Sequence, residues 1–298
     1  MIFTLKETPH KAVKVYFTNS FEQQKLENIK KICRKHEEMG IKWAIFPDHI
    51  AYLGPKEKNP IGFVMEYRAT GRSLEDDDLY TGLCESLSKQ DLNRTVRDSL
   101  DLCRQVLNQT YFLSQNGFLV SDYSRPNFAY LDSSPFIQMW DVDSFGYGTY
   151  FSYMQDSVHL TRTYDSTSKE ELIEKCNELA YIFAFLTLTI GDTPLDRRGV
   201  FVYDLPNYAE AKRKELVPKN VWVLFEKVFR KEVKASIPAL LVALEAAKKD
   251  PICTVTYRKL LSQIGFIDSH KIIKRIMKIF LLLGIVIAAA LTIGYFLR

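Results

Sequence analysis

No two of the five cysteines form a C-x-x-C pair. Cys33, Cys84, Cys103, Cys176 and Cys253 are widely scattered, which excludes a zinc knuckle and a disulfide framework. That pattern is the one expected of reduced, buried thiols in a cytosolic compartment. The histidines (His10, His36, His49, His159, His270) show no H-x-x-x-H or similar ligand spacing, so none is assigned to a metal. There is no long Lys/Arg block interleaved with aromatics. A formal charge of +4 over 298 residues gives no basis for a nucleic-acid partner. The opening residues MIFTLKE lack a charged region followed by an apolar stretch, so no signal peptide is expected. Internal repeats and low-complexity tracts are also missing.

What is present fits a folded body with a real core, since 47% of residues are hydrophobic and 26% charged. Its far end differs. Residues 279–297 read IFLLLGIVIAAALTIGYFL without a charge, roughly the twenty apolar residues that a bilayer core requires. Lys271, Lys274, Arg275 and Lys278 precede this run and only Arg298 follows it, so the positive-inside bias keeps the N-terminal side cytosolic. Residues 279–297 are therefore expected to be a transmembrane helix with a tail-anchored topology, reached through a basic juxtamembrane linker at 248–278.

Upstream, KAVKVYF at 11–17 alternates β-branched and aromatic residues as a strand does. A helix is expected over 18–35, with Phe21, Leu26, Ile29 and Ile32 or Cys33 on one face. Short strands are predicted at 43–47, 50–53 and 61–67. Beyond Gly71 helical periodicity takes over. Residues 91–116 carry Val96, Leu100, Cys103, Val106 or Leu107 and Tyr111 at helical spacing, closed by Asn116-Gly117. Ser168-Lys169-Glu170-Glu171 opens another helix, and further ones are expected at 221–229 and 238–247. The acidic run Glu75 to Asp78 reads as a solvated loop or helix start, because adjacent carboxylates do not converge easily on one ion.

The chemistry concentrates in LVSDYSRPNFAYLDSSPFIQMWDVDSFG, residues 119–146. Asp122 and Asn127 share a short loop. The runs 128–131 and 136–140 flank Asp132-Ser133-Ser134-Pro135, a good turn, so a hairpin would bring Asp141 back beside them. Phosphoryl transfer needs a divalent cation held at phosphate oxygens and a carboxylate to receive or orient the hydroxyl proton. This stretch can supply both.

The pattern resembles the protein kinase superfamily. D-x-x-x-x-N at Asp122 and Asn127 matches the catalytic loop, and D-V-D-S-F-G looks like the Asp-Phe-Gly position. The combination is similar to that of a group of bacterial kinase-like proteins. The resemblance implies Asp122 as catalytic base and Asn127 and Asp141 as Mg²⁺ ligands, Asp141 being preferred to Asp143 because it directly ends the apolar strand. It implies Lys14, with Lys11 as runner-up, as the ATP phosphate-binding lysine. The following helix would supply a glutamate partner, Glu27 before Glu22. IGFVMEYRATGRSL resembles the interlobe hinge, placing adenine near Glu66, Tyr67 and Arg68, and residues 177–195 resemble the buried helix of the large lobe. Ser152, Tyr153, Ser157, Thr161 and Thr163 fall where an activation segment would lie.

Departures accompany the match. No G-x-G-x-x-G precedes Lys14, Val120-Ser121 replace His-Arg, Val142-Asp143 replace Phe-Gly, and no A-P-E follows. The expected fold is α+β, with a two-lobed protein-kinase-like domain at 1–247 (small lobe 1–70, helical lobe 71–247) and the C-terminal membrane helix. The expected function is transfer of the ATP γ-phosphate, with Mg²⁺, to Ser/Thr of a protein substrate or membrane-associated complex. The other reading is a pseudokinase scaffold docked at the membrane.

Overall fold

The computed structural model describes residues 1–16, 23–54, 59–67, 72–73, 94–123, 127–130, 137–148, 168–189, 214–263 and 276–282. The architecture is α+β, with helices and small antiparallel sheets. The first unit is a four-stranded sheet of order β1-β2-β4-β3, formed by β1 (Ile2–Thr4), β2 (Lys11–Val15), β3 (Pro47–Leu53) and β4 (Asn59–Glu66). Every neighbour is antiparallel, with Lys14 opposite Phe63 and Ile50 also opposite Phe63. Side chains alternate across a strand, so Ala12, Lys14 and Tyr16 share one face with Phe63 and Met65. Helix α1 (Gln23–Met39) covers that face, burying Leu26, Ile29, Ile32 and Cys33, and ends at Gly40, whose φ of 60° suits a residue without Cβ. Gly62 faces a harder limit. A Cβ there would lie 1.9 Å from the Lys14 carbonyl oxygen, so only glycine lets β2 and β4 approach this closely.

Helices dominate the rest: α2 (Val96–Gln115), α3 (Lys169–Leu188), α4 (Lys219–Phe229), α5 (Ile237–Ala247) and α6 (Tyr257–Gln263). Two capping boxes start the longest pair, Thr95 with Asp98 and Ser168 with Glu171, each satisfying otherwise orphaned N–H groups. Helices α2, α3, α4 and α5 pack together over one large apolar cluster, in which Phe185 touches the rings of Trp222, Phe225 and Phe229. Ile32, Ala44 and Phe46 enter the same cluster, joining the sheet unit to the helical body.

Three further pairings frame the candidate site. Strands β5 (Arg72–Ser73), β7 (Phe128–Tyr130) and β8 (Ile137–Met139) form one sheet, and β6 (Phe118–Leu119) pairs with β9 (Gly146–Tyr147). The β7–β8 register, Phe128 opposite Met139, is the expected hairpin, although its turn at 132–135 lies outside the described residues. Strand β8 is fastened on both sides. The Ile137 N–H donates to Gln105 Oε1 at 3.0 Å and its carbonyl accepts from Gln109 Nε2 at 2.7 Å, both from α2. The Met139 N–H donates to the Trp43 carbonyl, and the Ile45 N–H to the Met139 carbonyl.

Several expectations change. The 43–47 strand reduces to a single bridge between Ala44 and Met139, and β1 forms where no strand was expected. Part of the expected 248–278 linker is instead core: Cys253, Tyr257, Leu260 and Leu261 are buried in the main cluster, because their apolar side chains close the end of α2 through the Thr95–Thr256 bridge. Among the described residues no helix is long and apolar enough to cross a membrane. Residues 276–282 are helical with Met277, Ile279, Phe280, Leu281 and Leu282 exposed, and the remainder of the 279–297 run lies outside the described residues.

Candidate functional site

A tight turn follows β8. Asp141 adopts a left-handed conformation (φ 58°, ψ 36°) and Val142–Ser144 form one turn of 3-10 helix. Ser144 closes it, its N–H and hydroxyl both donating to the Asp141 carbonyl at 3.0 and 2.7 Å. Val142 and Phe145 anchor the turn in the apolar cluster, so Asp141 and Asp143 both meet β2.

There they meet Lys14, whose ammonium donates to both oxygens of Asp143 at 3.0 and 3.1 Å and to Oδ1 of Asp141. Tyr16, on the same face of β2, donates its hydroxyl to Oδ2 of Asp143. The surroundings of the two carboxyls differ. Asp143 is 3% exposed, whereas the Asp141 side chain keeps 39%. Burial pushes the Asp143 carboxyl up, but Lys14, the Asp141 carboxyl and the Tyr16 hydroxyl outweigh it and hold it below the usual carboxylate range. Burial and the neighbouring Asp143 charge push Asp141 up to about 7, against the opposing pull of Lys14. Burial lowers Lys14, but the two carboxylates more than compensate and its ammonium is held above the ordinary range.

The other expected residues divide. Asn127 is buried just before β7, and its carbonyl accepts the Trp140 N–H at 2.6 Å, directly before Asp141. Asp122 is partly exposed, three residues beyond Leu119, which pairs with Gly146 at the far end of the same turn. Glu27 is not brought to Lys14. It is exposed on α1, its carboxylate taken by Lys30 at 2.8 Å and Gln23 at 3.3 Å. The helix instead points Asn28 inward, 1% exposed, with Nδ2 donating to the Phe145 carbonyl at 3.0 Å. Glu22 lies outside the described residues. Lys11, the runner-up lysine, pairs with Asp48 at 2.5 Å and not with the turn. At the expected hinge, Glu66 ends β4, and the Tyr67 N–H already donates to the His10 carbonyl at 2.8 Å. Arg68 and the expected activation-segment residues lie outside the described residues.

Sequence reasoning missed Tyr16, Asn28 and the direct role of Asp143. For Tyr16 a signal existed: it stands at i+2 from Lys14 on one strand, hence on the same face. Among the described residues no three His, Cys, Asp or Glu groups are placed to hold a metal ion by themselves. Of the two aspartates at Lys14, Asp141 alone keeps a partly exposed carboxylate, and Mg²⁺ is ordinarily held by one or two carboxylates together with phosphate oxygens rather than by a protein-only cage. Comparison with protein-family models and with curated proteins finds no match.

Proposed function

We propose that this chain is a membrane-anchored, two-lobed protein-kinase-like protein that binds Mg-ATP beside Lys14 and Asp141 and phosphorylates Ser/Thr of a protein at the cytosolic membrane face. One observation carries the reading. Lys14 meets Asp141 and Asp143, which lie 127 and 129 residues further along the chain, in the order the kinase resemblance requires. An ammonium against two carboxylates, one of them partly exposed, is an arrangement that can grip phosphate and a divalent cation together.

Bound Mg-ATP supplies the phosphoryl group and neutralises the charge that develops on it. In the transfer, the substrate hydroxyl oxygen bonds to the γ-phosphorus while the β–γ bridging bond breaks, and ADP leaves. Asp122 would receive the hydroxyl proton, Lys14 would hold phosphate oxygens, and Asn127 and Asp141 would be the residues to hold the cation. The exposed apolar helix at 276–282, continuing into an uncharged run, supports the anchor.

A scaffold reading is favoured by the Tyr67 N–H, already spent on His10 and not free for adenine, and by the missing glycine-rich loop. Differential scanning fluorimetry on the full chain in detergent separates the two. Mg-ATP is expected to raise the melting temperature, and Asp141→Asn to remove the rise. A curve unmoved by saturating Mg-ATP would leave only the scaffold.

A further inference from the structure

We infer that Asp143, held by the Tyr16 hydroxyl, is the positioning residue that orients Lys14, so the lysine's acid partner comes from the turn after β8 and not from Glu27 of helix α1. The consequence for ligand binding rests on the phosphotransfer reading: Asp141 is then the carboxylate left to a cation.

The geometry separates the two aspartates. Asp143 engages Lys14 with both oxygens, is nearly sealed from water, and has Oδ2 further bound by Tyr16. A buried carboxylate with three charge-assisted or hydroxyl contacts has few alternative rotamers to visit. Asp141 offers Lys14 a single oxygen and keeps an exposed edge. The ammonium directs contacts to both oxygens of Asp143 and to only one of Asp141, and the fully buried carboxylate depends on that pairing more.

Tyr16 is itself braced. The ammonium of Lys25, on the first turn of α1, lies 4.1 Å from its ring centroid, and the ring packs against Phe63. Lys14 and Tyr16 therefore form a two-residue bracket on β2 that closes around Asp143. Helix α1 contributes through Asn28, which ties down the Phe145 carbonyl two residues beyond Asp143. Glu27, one position earlier on the helix, is turned by about 100° toward solvent.

Competitive labelling with acetic anhydride tests this on the full chain in detergent, without nucleotide. Mass spectrometry would read the Lys14 rate against Lys175 and Lys234 in the same molecules. Asp143→Asn is expected to raise Lys14 labelling about tenfold, the equivalent of one charge-assisted hydrogen bond. Tyr16→Phe, which keeps the carboxylate and deletes only a hydroxyl, is expected to raise it less but measurably, and it decides the matter should the Asn variant misfold. Glu27→Gln should leave it unchanged, and Asp141→Asn should raise it less than Asp143→Asn. The inference fails if Asp141→Asn or Glu27→Gln frees Lys14 more than Asp143→Asn does, or if Tyr16→Phe leaves the rate at wild type. The expected order without any Mg-ATP melting shift would sink the phosphotransfer reading alone.

Discussion

Gly62→Ala couples fold and site through one atom. The added Cβ would start 1.9 Å from the Lys14 carbonyl oxygen and 3.1 Å from the Val15 Cα, both backbone atoms that no side-chain rotation can move away. A carbon–oxygen contact settles near 3.3 Å at closest, so β2 and β4 must separate by about 1.4 Å. That displacement lies in the plane of the sheet, whereas the Lys14 side chain stands off it, so the Lys14–Asp143 contacts of 3.0 and 3.1 Å would lengthen to about 3.3–3.4 Å, weakened but not broken. Two ladder hydrogen bonds and the ion-pair contacts would weaken together, a loss of about 2–4 kcal/mol. For a body of this size that is a fall of about 5–15 °C in melting temperature. Calorimetry on the full chain, paired with an Mg-ATP titration, would measure both effects. Gly40→Ala is the control: its φ of 60° costs about 1 kcal/mol, but nothing lies within 4 Å of its Cβ position, so no strand pair has to separate. A Gly62→Ala protein that melts within about 1 °C of wild type would refute the close-approach argument, since ~0.5 kcal/mol is the scale of an uneventful surface change.

Three other outcomes are expected. Because the folded carboxyl of Asp141 is raised to about 7, its stabilising contribution is complete below about pH 4 and is lost as pH rises toward 7; Asp141→Asn should flatten that part of the melting-temperature profile, and an unchanged profile would contradict it. Phe185→Ala should cost about 3–5 kcal/mol by denaturant titration, because the ring is 2% exposed among Trp222, Phe225 and Phe229; a loss under about 1 kcal/mol would mean the core collapses around it. Deleting residues 279–298 should move the protein from the membrane pellet to the soluble fraction on ultracentrifugation, and retention in the pellet would show a second attachment.

Periodic segments were the legible part of the sequence. Leu26, Ile29, Ile32 and Cys33 line the inner face of α1 as their spacing demands, and Val96, Leu100, Cys103, Val106 and Leu107 do so for α2. Ser168 caps α3 where its pattern with Glu171 placed it. The hairpin that returns Asp141 toward Asn127 was also readable, because two apolar runs flank the turn-forming Asp132-Ser133-Ser134-Pro135. Strand β1 was not, since three exposed residues at a sheet edge carry no alternation to detect. Nor was the choice between Glu27 and Asn28: adjacent helical positions differ by a single 100° step, and Asn28 gains its buried place from one long-range acceptor, the Phe145 carbonyl, which no local pattern encodes. The pairing of Lys14 with Asp143 is hidden for the same reason, as it depends on a tight turn 129 residues away.

The double fastening of β8 bears on how the molecule can move. Ile137 is riveted to α2 by Gln105 and Gln109, while Met139 is stitched to the backbone at 43–45, so neither the sheet unit nor the helical body can swing without dragging this short strand. The Ile137 and Met139 amides should then be among the slowest in the chain to exchange with deuterated solvent, opening only when the whole body unfolds.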